Sequence, residues 1–287
     1  MKVLFNPGPE QINLIDLSVK ERFYLASFLK IAHLLKSNDS SVKMSPTAFW
    51  DKYIFKFLLD KSIISIDTET NVQIDSLDIL RHSESDDITI GINVFSTDLA
   101  DNQLLSNLHA PVISRDKYIE LEKLNEEILA LECFEFIRCK LKYLDISFNF
   151  SHEIFEQIKG ILQFFAASQF CYVYLEQLKS LSYERSAGSI NSIQLIQNSI
   201  SKTISYLKKA KKENWRVLGY YKDNYSTSIL SGLIFHYQDL WELKSFYKIP
   251  DSSRNLQLHV ELNPNSSLDS NKQFIRSNGY FTNSLTL

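Results

Sequence analysis

A single apolar stripe dominates the second half of this sequence. Large apolar side chains recur there at gaps of three and four residues over about eight turns, which is the spacing of one helix face. The stripe consists of Tyr118, Leu121, Leu124, Ile128, Leu131, Phe134, Ile137, Leu141 and Leu144. Other apolar faces must cover it, because burial of apolar surface is the main favourable contribution to folding. The stripe therefore predicts a bundle of long helices.

Three further helices are predicted beside this one. Ser151 can cap a helix that continues through Leu178. The next helix covers about residues 190–213, and the last covers about residues 227–247. With only 7 Gly and 6 Pro in 287 residues, the chain has few helix breakers. The pattern predicts a four-helix bundle-like domain over residues 114–250.

The first half of the chain opens with two helices of its own. Residues 18–21, Ser-Val-Lys-Glu, form a capping box in front of a periodic segment that ends at Leu35. A second helix is predicted over residues 46–60. Ser45 can cap it, and Pro46 fits its first position, where no backbone donor is needed.

A β pattern follows the second helix. Isoleucine and valine alternate with polar residues, as in half-buried strands. These residues are Ile63, Ile64, Ile66, Val72, Ile74, Ile88, Ile90, Ile92 and Val94. The order helix, turn, helix, strand, loop, strand over residues ~12–96 resembles the winged-helix fold, and some other small α+β domain is the alternative. The resemblance implies a module that binds DNA or protein.

The predicted fold is thus mainly α. A winged-helix-like α+β domain over residues 1–113 is followed by the bundle over residues 114–250. Residues 251–287 are predicted to form one short strand, residues 256–262, and a flexible tail rich in Ser and Asn.

The charge distribution separates the two predicted domains. The chain carries a net charge of −3, but residues 1–113 hold 10 Lys and Arg against 15 Asp and Glu. Residues 114–250 hold 18 basic against 16 acidic residues. Because phosphate contacts supply most non-specific nucleic-acid affinity, the acidic first domain is poorly suited to bind a polyanion.

The best nucleic-acid candidate is a lysine run near the end of the third bundle helix. It comprises Lys208, Lys209, Lys211 and Lys212, with Arg216 nearby and Trp215, Tyr220 and Tyr221 after it. Clustered cations can neutralise phosphates and aromatic rings can stack on bases. Lysines at a helix C-terminus also complement the helix dipole, which is the structural alternative.

A second cationic pair lies on the helix at residues 46–60. Lys52 and Lys56 are one turn apart there. That helix contains none of the Arg, Asn or Gln side chains that usually read base edges. The pair is therefore the weaker candidate for a DNA contact.

An acidic motif ends the first predicted strand. The segment Ile-Ser-Ile-Asp-Thr-Glu-Thr at residues 64–70 resembles the first motif of the DEDD family of 3′–5′ exonucleases. The resemblance implies that Asp67 and Glu69 would ligate two metal ions that activate water. No Gly follows Thr70, and two helices precede a strand that should open the domain. No other metal site is predicted, because the six histidines are scattered without ligand spacing.

Cysteine and hydropathy patterns bear on the cellular location. Cys133, Cys139 and Cys171 lie in apolar helical segments, which is typical of buried thiols in a reducing compartment. No apolar run reaches the ~18 residues of a membrane span. We expect a cytoplasmic protein without a membrane segment or a cofactor.

These patterns favour a function in binding rather than in catalysis. The first hypothesis is a non-catalytic interaction subunit or adaptor of a nucleic-acid-handling complex, with a protein partner. One alternative is a winged-helix DNA-binding protein that uses the 46–60 helix and the lysine run. The other is a metal-dependent exonuclease. The oligomeric state stays open.

Overall fold

The fold is mainly α-helical with a small β-sheet, as the sequence predicts at this level. The predicted β positions Val72 and Ile74 and the segment 251–287, including its predicted strand, lie outside the described part of the chain. The computed structural model describes residues 2–4, 12–36, 43–68, 88–95, 108, 114–220, 228–240 and 245–246.

Helix α1, Val19–Lys36, begins at the predicted capping box. The backbone N–H of Glu21 donates to the Ser18 hydroxyl at 3.2 Å, and the Ser18 N–H donates to the Glu21 carboxylate at 2.8 Å. Two backbone donors at the helix start are thereby satisfied. The capping box is confirmed.

Helix α2, Ala48–Asp60, begins two residues later than predicted. Thr47 is the cap, and its hydroxyl accepts the Trp50 N–H at 3.1 Å. Ser45 instead donates from its backbone N–H to the buried Asp51 carboxylate at 2.7 Å. The Ser45 hydroxyl, which a cap would use as its acceptor, instead donates to the Thr47 carbonyl and to the Asp51 carboxylate.

Five short strands form two small sheets in the described residues. They are β1 Lys2–Leu4, β2 Ile12–Asn13, β3 Ile64–Thr68, β4 Ile88–Ile92 and β5 Val94–Phe95. The larger sheet has the order β1-β4-β3, in which β4 pairs parallel to β1 and antiparallel to β3. Gly91 faces Ser65 there, and a Cβ at Gly91 would lie 2.5 Å from the Ser65 hydroxyl. Strand β2 pairs parallel to β5.

The predicted apolar stripe lies on one long helix, α3, Arg115–Lys142. Ser114 caps it as predicted, with its hydroxyl accepting the Lys117 N–H at 3.3 Å. Every stripe residue from Tyr118 to Leu141 is buried, and Leu144 is partly buried. The stripe is therefore the centre of the core, as the sequence predicts.

The helix predicted from Ser151 to Leu178 is divided in two. In its place lie α4, His152–Leu162, and α5, Ala167–Ser186. Two further described helices follow, α6, Ser192–Lys212, and α7, Ile229–Leu240. Residues 114–250 thus contain five described helices instead of the four that the sequence pattern predicts.

Chain segments distant in sequence cause the division between α4 and α5. The Ser168 N–H, which a continuous helix would use internally, donates to the Phe246 carbonyl at 2.7 Å. The Ser168 carbonyl accepts the Tyr220 N–H at 2.8 Å. The Gln169 side chain accepts the Ala166 N–H and donates to the Val217 carbonyl, both at 3.0 Å. These partners satisfy the backbone groups that the break exposes.

The two halves of the chain share one contiguous hydrophobic core. Helix α1 packs against both α3 and α7. The start of α7 is held by the loop before α2, where the Ile229 and Leu230 N–H groups donate to the Lys43 and Met44 carbonyls at 2.9 Å. Helices α3 to α6 also pack against one another, and a groove lies between α4 and α6.

Candidate interaction surface

An open groove of about 920 Å³ lies between α4 and α6. Its floor consists of apolar side chains that the bundle core holds in place. These are Ile154, Ile161, Phe165, Ile200 and Ile204. Its rims are polar or charged. An apolar strip between polar rims is typical of a surface that binds another polypeptide.

Helices α4 and α6 run in the same direction along this groove. Helix α4 is antiparallel to α3, since Gln163 at the end of α4 contacts Glu126 near the middle of α3. Helix α6 is antiparallel to α5, since Glu184 near the end of α5 faces Lys202 of α6. The ends of α4 and α6 meet where the Lys211 ammonium lies 2.7 Å from the Phe164 ring centroid. One end of the groove is therefore formed by both helix starts and the other by both helix ends.

The two ends of the groove carry opposite charge. Glu153 and Glu156 lie at the end formed by the start of α4. Lys208 and Lys211 lie at the end formed by the end of α6. Both pairs agree with the helix dipoles, which favour acids at N-termini and bases at C-termini. The groove thus has a polarity that an occupant of matched charge can recognise.

The groove rims also contain small residues. Gly160 of α4 is exposed, and a Cβ added there would meet no heavy atom within 4 Å. Ser201 and Ser205 line the opposite rim on α6. Small side chains let another backbone approach closely. Phe164, which is 50% exposed, stands at the basic end.

The structure divides the predicted lysine run between two surfaces. All four lysines and Arg216 are exposed. Lys208 and Lys211 line the groove, whereas Lys209 lies over the Trp215 ring at 5.1 Å outside it. Trp215 is 43% exposed and also contacts Tyr206 at 5.8 Å between ring centroids.

Lys52 and Lys56 are also exposed, but on α2. The first turn of α2 packs against the segment around the start of α4, with ring centroids 5.5 Å apart for Trp50 and Phe155. The lysine run lies beyond the other end of α4, which is about 16 Å long. The structure therefore does not bring the two cationic sets into one patch.

The acidic motif is only partly described. Asp67 lies on β3, where its Cα is opposite that of Thr89. Glu69 lies outside the described part of the chain. Among the residues that the structure does describe, no group of three His, Cys, Asp or Glu side chains could hold a metal ion. Cys133 and Cys171 are buried free thiols, and Cys139 is partly buried.

The groove could not be recognised from the sequence. The positions on its floor have helical spacing, but the same spacing describes any buried face. Only Phe164 gives a local signal, because it extends the apolar pattern of α4 beyond the covered face. Glu153 has the position of an ordinary first-turn acid, and Glu156 that of an ordinary exposed helix residue.

Comparison with known proteins leaves the family open. No protein-family model matches the sequence, and no curated protein or solved structure matches it either. No helix in the described ranges is long and apolar enough to cross a membrane.

Proposed function

We propose that this chain is a non-catalytic interaction subunit of a nucleic-acid-handling complex and that the groove between α4 and α6 holds a polypeptide partner. The observation that carries the proposal is the groove itself, with its apolar floor and its oppositely charged ends. The apolar surface that stays exposed in the groove, mainly that of Phe164 and of the half-buried Ile154, gains free energy when a partner removes it from water.

The proposed architecture is a winged-helix-like unit followed by a bundle. The order α1, α2, β3, β4 supports the first unit, in which β3 and β4 would form the wing hairpin. The first turn of α2 packs against other parts of the chain, with Phe49 stacked on Phe150 at 4.3 Å. In helix-turn-helix proteins that turn contacts the bases. This packing favours protein binding over DNA reading for the unit.

Purification of the tagged protein from its own cells tests the proposal. We expect nucleic-acid-handling proteins to co-purify with the wild type and to be lost from a Ser201→Arg variant, because the long side chain fills the groove. Ser180→Arg is the matched control, since Ser180 is an exposed residue of α5 outside the groove. A partner set that is identical for the wild type and Ser201→Arg would contradict the proposal.

A second candidate function is nucleic-acid binding by the chain itself. The observation that favours it is the exposure of all seven candidate cations, together with the exposed Trp215 beside Lys209. An exposed ring next to a cation can stack on a base while the cation neutralises a phosphate. The acidic composition of residues 1–113 opposes such binding.

Salt-dependent binding measurements decide between the two functions. We expect weak binding of duplex DNA at physiological salt, and little change when all four lysines of the run are replaced by Gln. If the run does contact phosphates, the variant should lower the slope of log affinity against log salt by about 0.9 per lost contact. The control replaces Lys140, Lys142, Lys159 and Lys179 by Gln, which changes the net charge equally. Tight binding that only the run variant loses would favour the second function.

A further inference from the structure

We propose that the groove holds α4 of a second copy of this chain, in an antiparallel two-fold pair. The inference rests on the proposed function, because it names the polypeptide that occupies the same groove; the other members of the complex then bind the pair and not the groove itself. Closed two-fold dimers are the commonest oligomers of soluble proteins, and they need a surface that is complementary to itself. The charges and the shape of the groove meet that requirement.

The charge polarity of the groove selects the antiparallel orientation. Helix α4 carries Glu153 and Glu156 at its start, whereas Lys208 and Lys211 line the groove at the far end. An antiparallel α4 from a second copy turns its acidic start toward the Lys208 and Lys211 end of the first copy, so that its Glu153 lies nearest to the lysines. The two-fold axis repeats the same pairing at the other end of the helix pair, with the roles of the two copies exchanged. A parallel copy would place acids against acids, which is unfavourable.

The register of the two helices is consistent with this pairing. Lys211 lies beside Phe164, so the last turns of α4 and α6 are level with each other. When two antiparallel α4 helices cross at Gln157, Glu153 of the second copy lies level with Ile161 of the first. That level is within one helical turn of Phe164, about 5 Å along the axis. The acid therefore reaches the end of the groove that the lysines line.

The shape of α4 allows close approach. Gly160 presents no side chain, and the space beside it is open. On the opposite rim, Ser201 and Ser205 have small side chains, which leave space for a second helix. The second α4 can therefore lie between α4 and α6 and cover the floor residues Ile154 and Ile161. The arrangement closes after two copies, because each groove is then filled.

Sedimentation equilibrium of charge-reversal variants tests the pairing. The first variant is Lys208→Glu with Lys211→Glu, and the second is Glu153→Lys with Glu156→Lys. Each variant alone places like charges opposite each other at both ends of the pair. We expect the dissociation constant of each to rise at least about tenfold over that of the wild type. An equimolar mixture of the two variants restores opposite charges at both ends, and it should dimerise as the wild type does.

The matched control is Lys209→Glu with Lys212→Glu, which makes the same charge change on the same helix outside the groove. It should dimerise like the wild type. All four reversed positions are exposed, so a thermal melt can verify that each variant is folded. A wild type that stays monomeric up to about 100 μM overturns the proposal, because its affinity would then be too weak for a stable pair. A mixture that stays monomeric while the wild type dimerises overturns it as well.

The outcome also separates this inference from the proposed function. A monomeric wild type whose Ser201→Arg variant loses its co-purified proteins overturns the dimer and leaves the interaction subunit standing. A dimer that responds to charge reversal as expected, but co-purifies with no nucleic-acid-handling protein, supports the pairing and overturns the proposed complex.

Discussion

Replacing Leu131 with Asp is expected to abolish the cooperative thermal transition of this protein. Leu131 is fully buried at the centre of α3, where no solvent reaches the side chain. Burial of an unpaired carboxylate costs several kcal/mol, which is comparable to the whole stability of a typical domain, about 5–15 kcal/mol. Circular dichroism on heating should show the loss directly.

Leu131→Met is the control at the same position. Its side chain has similar volume and no charge, so the loss in stability should be below about 1.5 kcal/mol. If Leu131→Asp is soluble and melts like the wild type, the stripe on α3 is not the core of the protein.

Replacing Glu135 with Gln is expected to lower the free energy of unfolding at pH 7 by about 1.5–3 kcal/mol, the range for hydrogen bonds to charged groups. The Glu135 side chain is 2% exposed. It accepts a hydrogen bond from Lys43 at 2.8 Å and two from Arg138 at 2.6 Å. The Lys43 contact ties the loop before α2 to α3. The amide that replaces the carboxylate can keep only part of these hydrogen bonds, because its nitrogen would face the cationic group of Lys43 or Arg138.

The effect of Glu135 should depend on pH in a defined direction. Burial by itself raises the pKa of the Glu135 carboxyl, but hydrogen bonds from Arg138 and Lys43 outweigh it, so the pKa lies below its ordinary value of 4.5. A lowered pKa in the folded state stabilises the protein above the pKa of the unfolded chain. The stabilisation is lost as the pH falls through the folded value. The difference between wild type and Glu135→Gln should therefore shrink as the pH falls below the ordinary value of 4.5.

Urea denaturation at several pH values measures this difference. Glu176→Gln is the control, because Glu176 accepts from Lys179 at the same distance of 2.8 Å but is 47% exposed. A surface pair of this kind contributes about 0–1 kcal/mol. Equal losses in the two variants, or a difference that does not change with pH, would show that burial gives Glu135 no special role.

The helices with local signals could be predicted closely. The capping box at Ser18 and the cap at Ser114 depend on hydrogen bonds within three residues, so the sequence contains both partners. The α3 stripe was equally clear, because its spacing persists over many turns. The alternation of Ile88, Ile90 and Ile92 likewise located β4.

The two misplaced helix boundaries have different causes, one within α2 and one in distant parts of the chain. Ser45 has the right residue type for a cap, but Asp51 binds it from within α2. The break between α4 and α5 contains neither Pro nor Gly, and its hydrogen-bond partners come from Val217, Tyr220 and Phe246. The local sequence pattern gives no indication of hydrogen-bond partners that lie about 50 to 80 residues away.

The candidate site shows the same division. The clustering of the lysines and the apolar faces of α4 and α6 follow from residue type and spacing alone. The division of the lysines between two surfaces depends on how the helices pack: Lys208 and Lys211 line the groove, whereas Lys209 lies over Trp215 outside it. The reason is physical. A helix repeats every 3.6 residues, so neighbouring lysines point in different directions, and the packing of α4 and α5 against α6 selects which of them borders the groove.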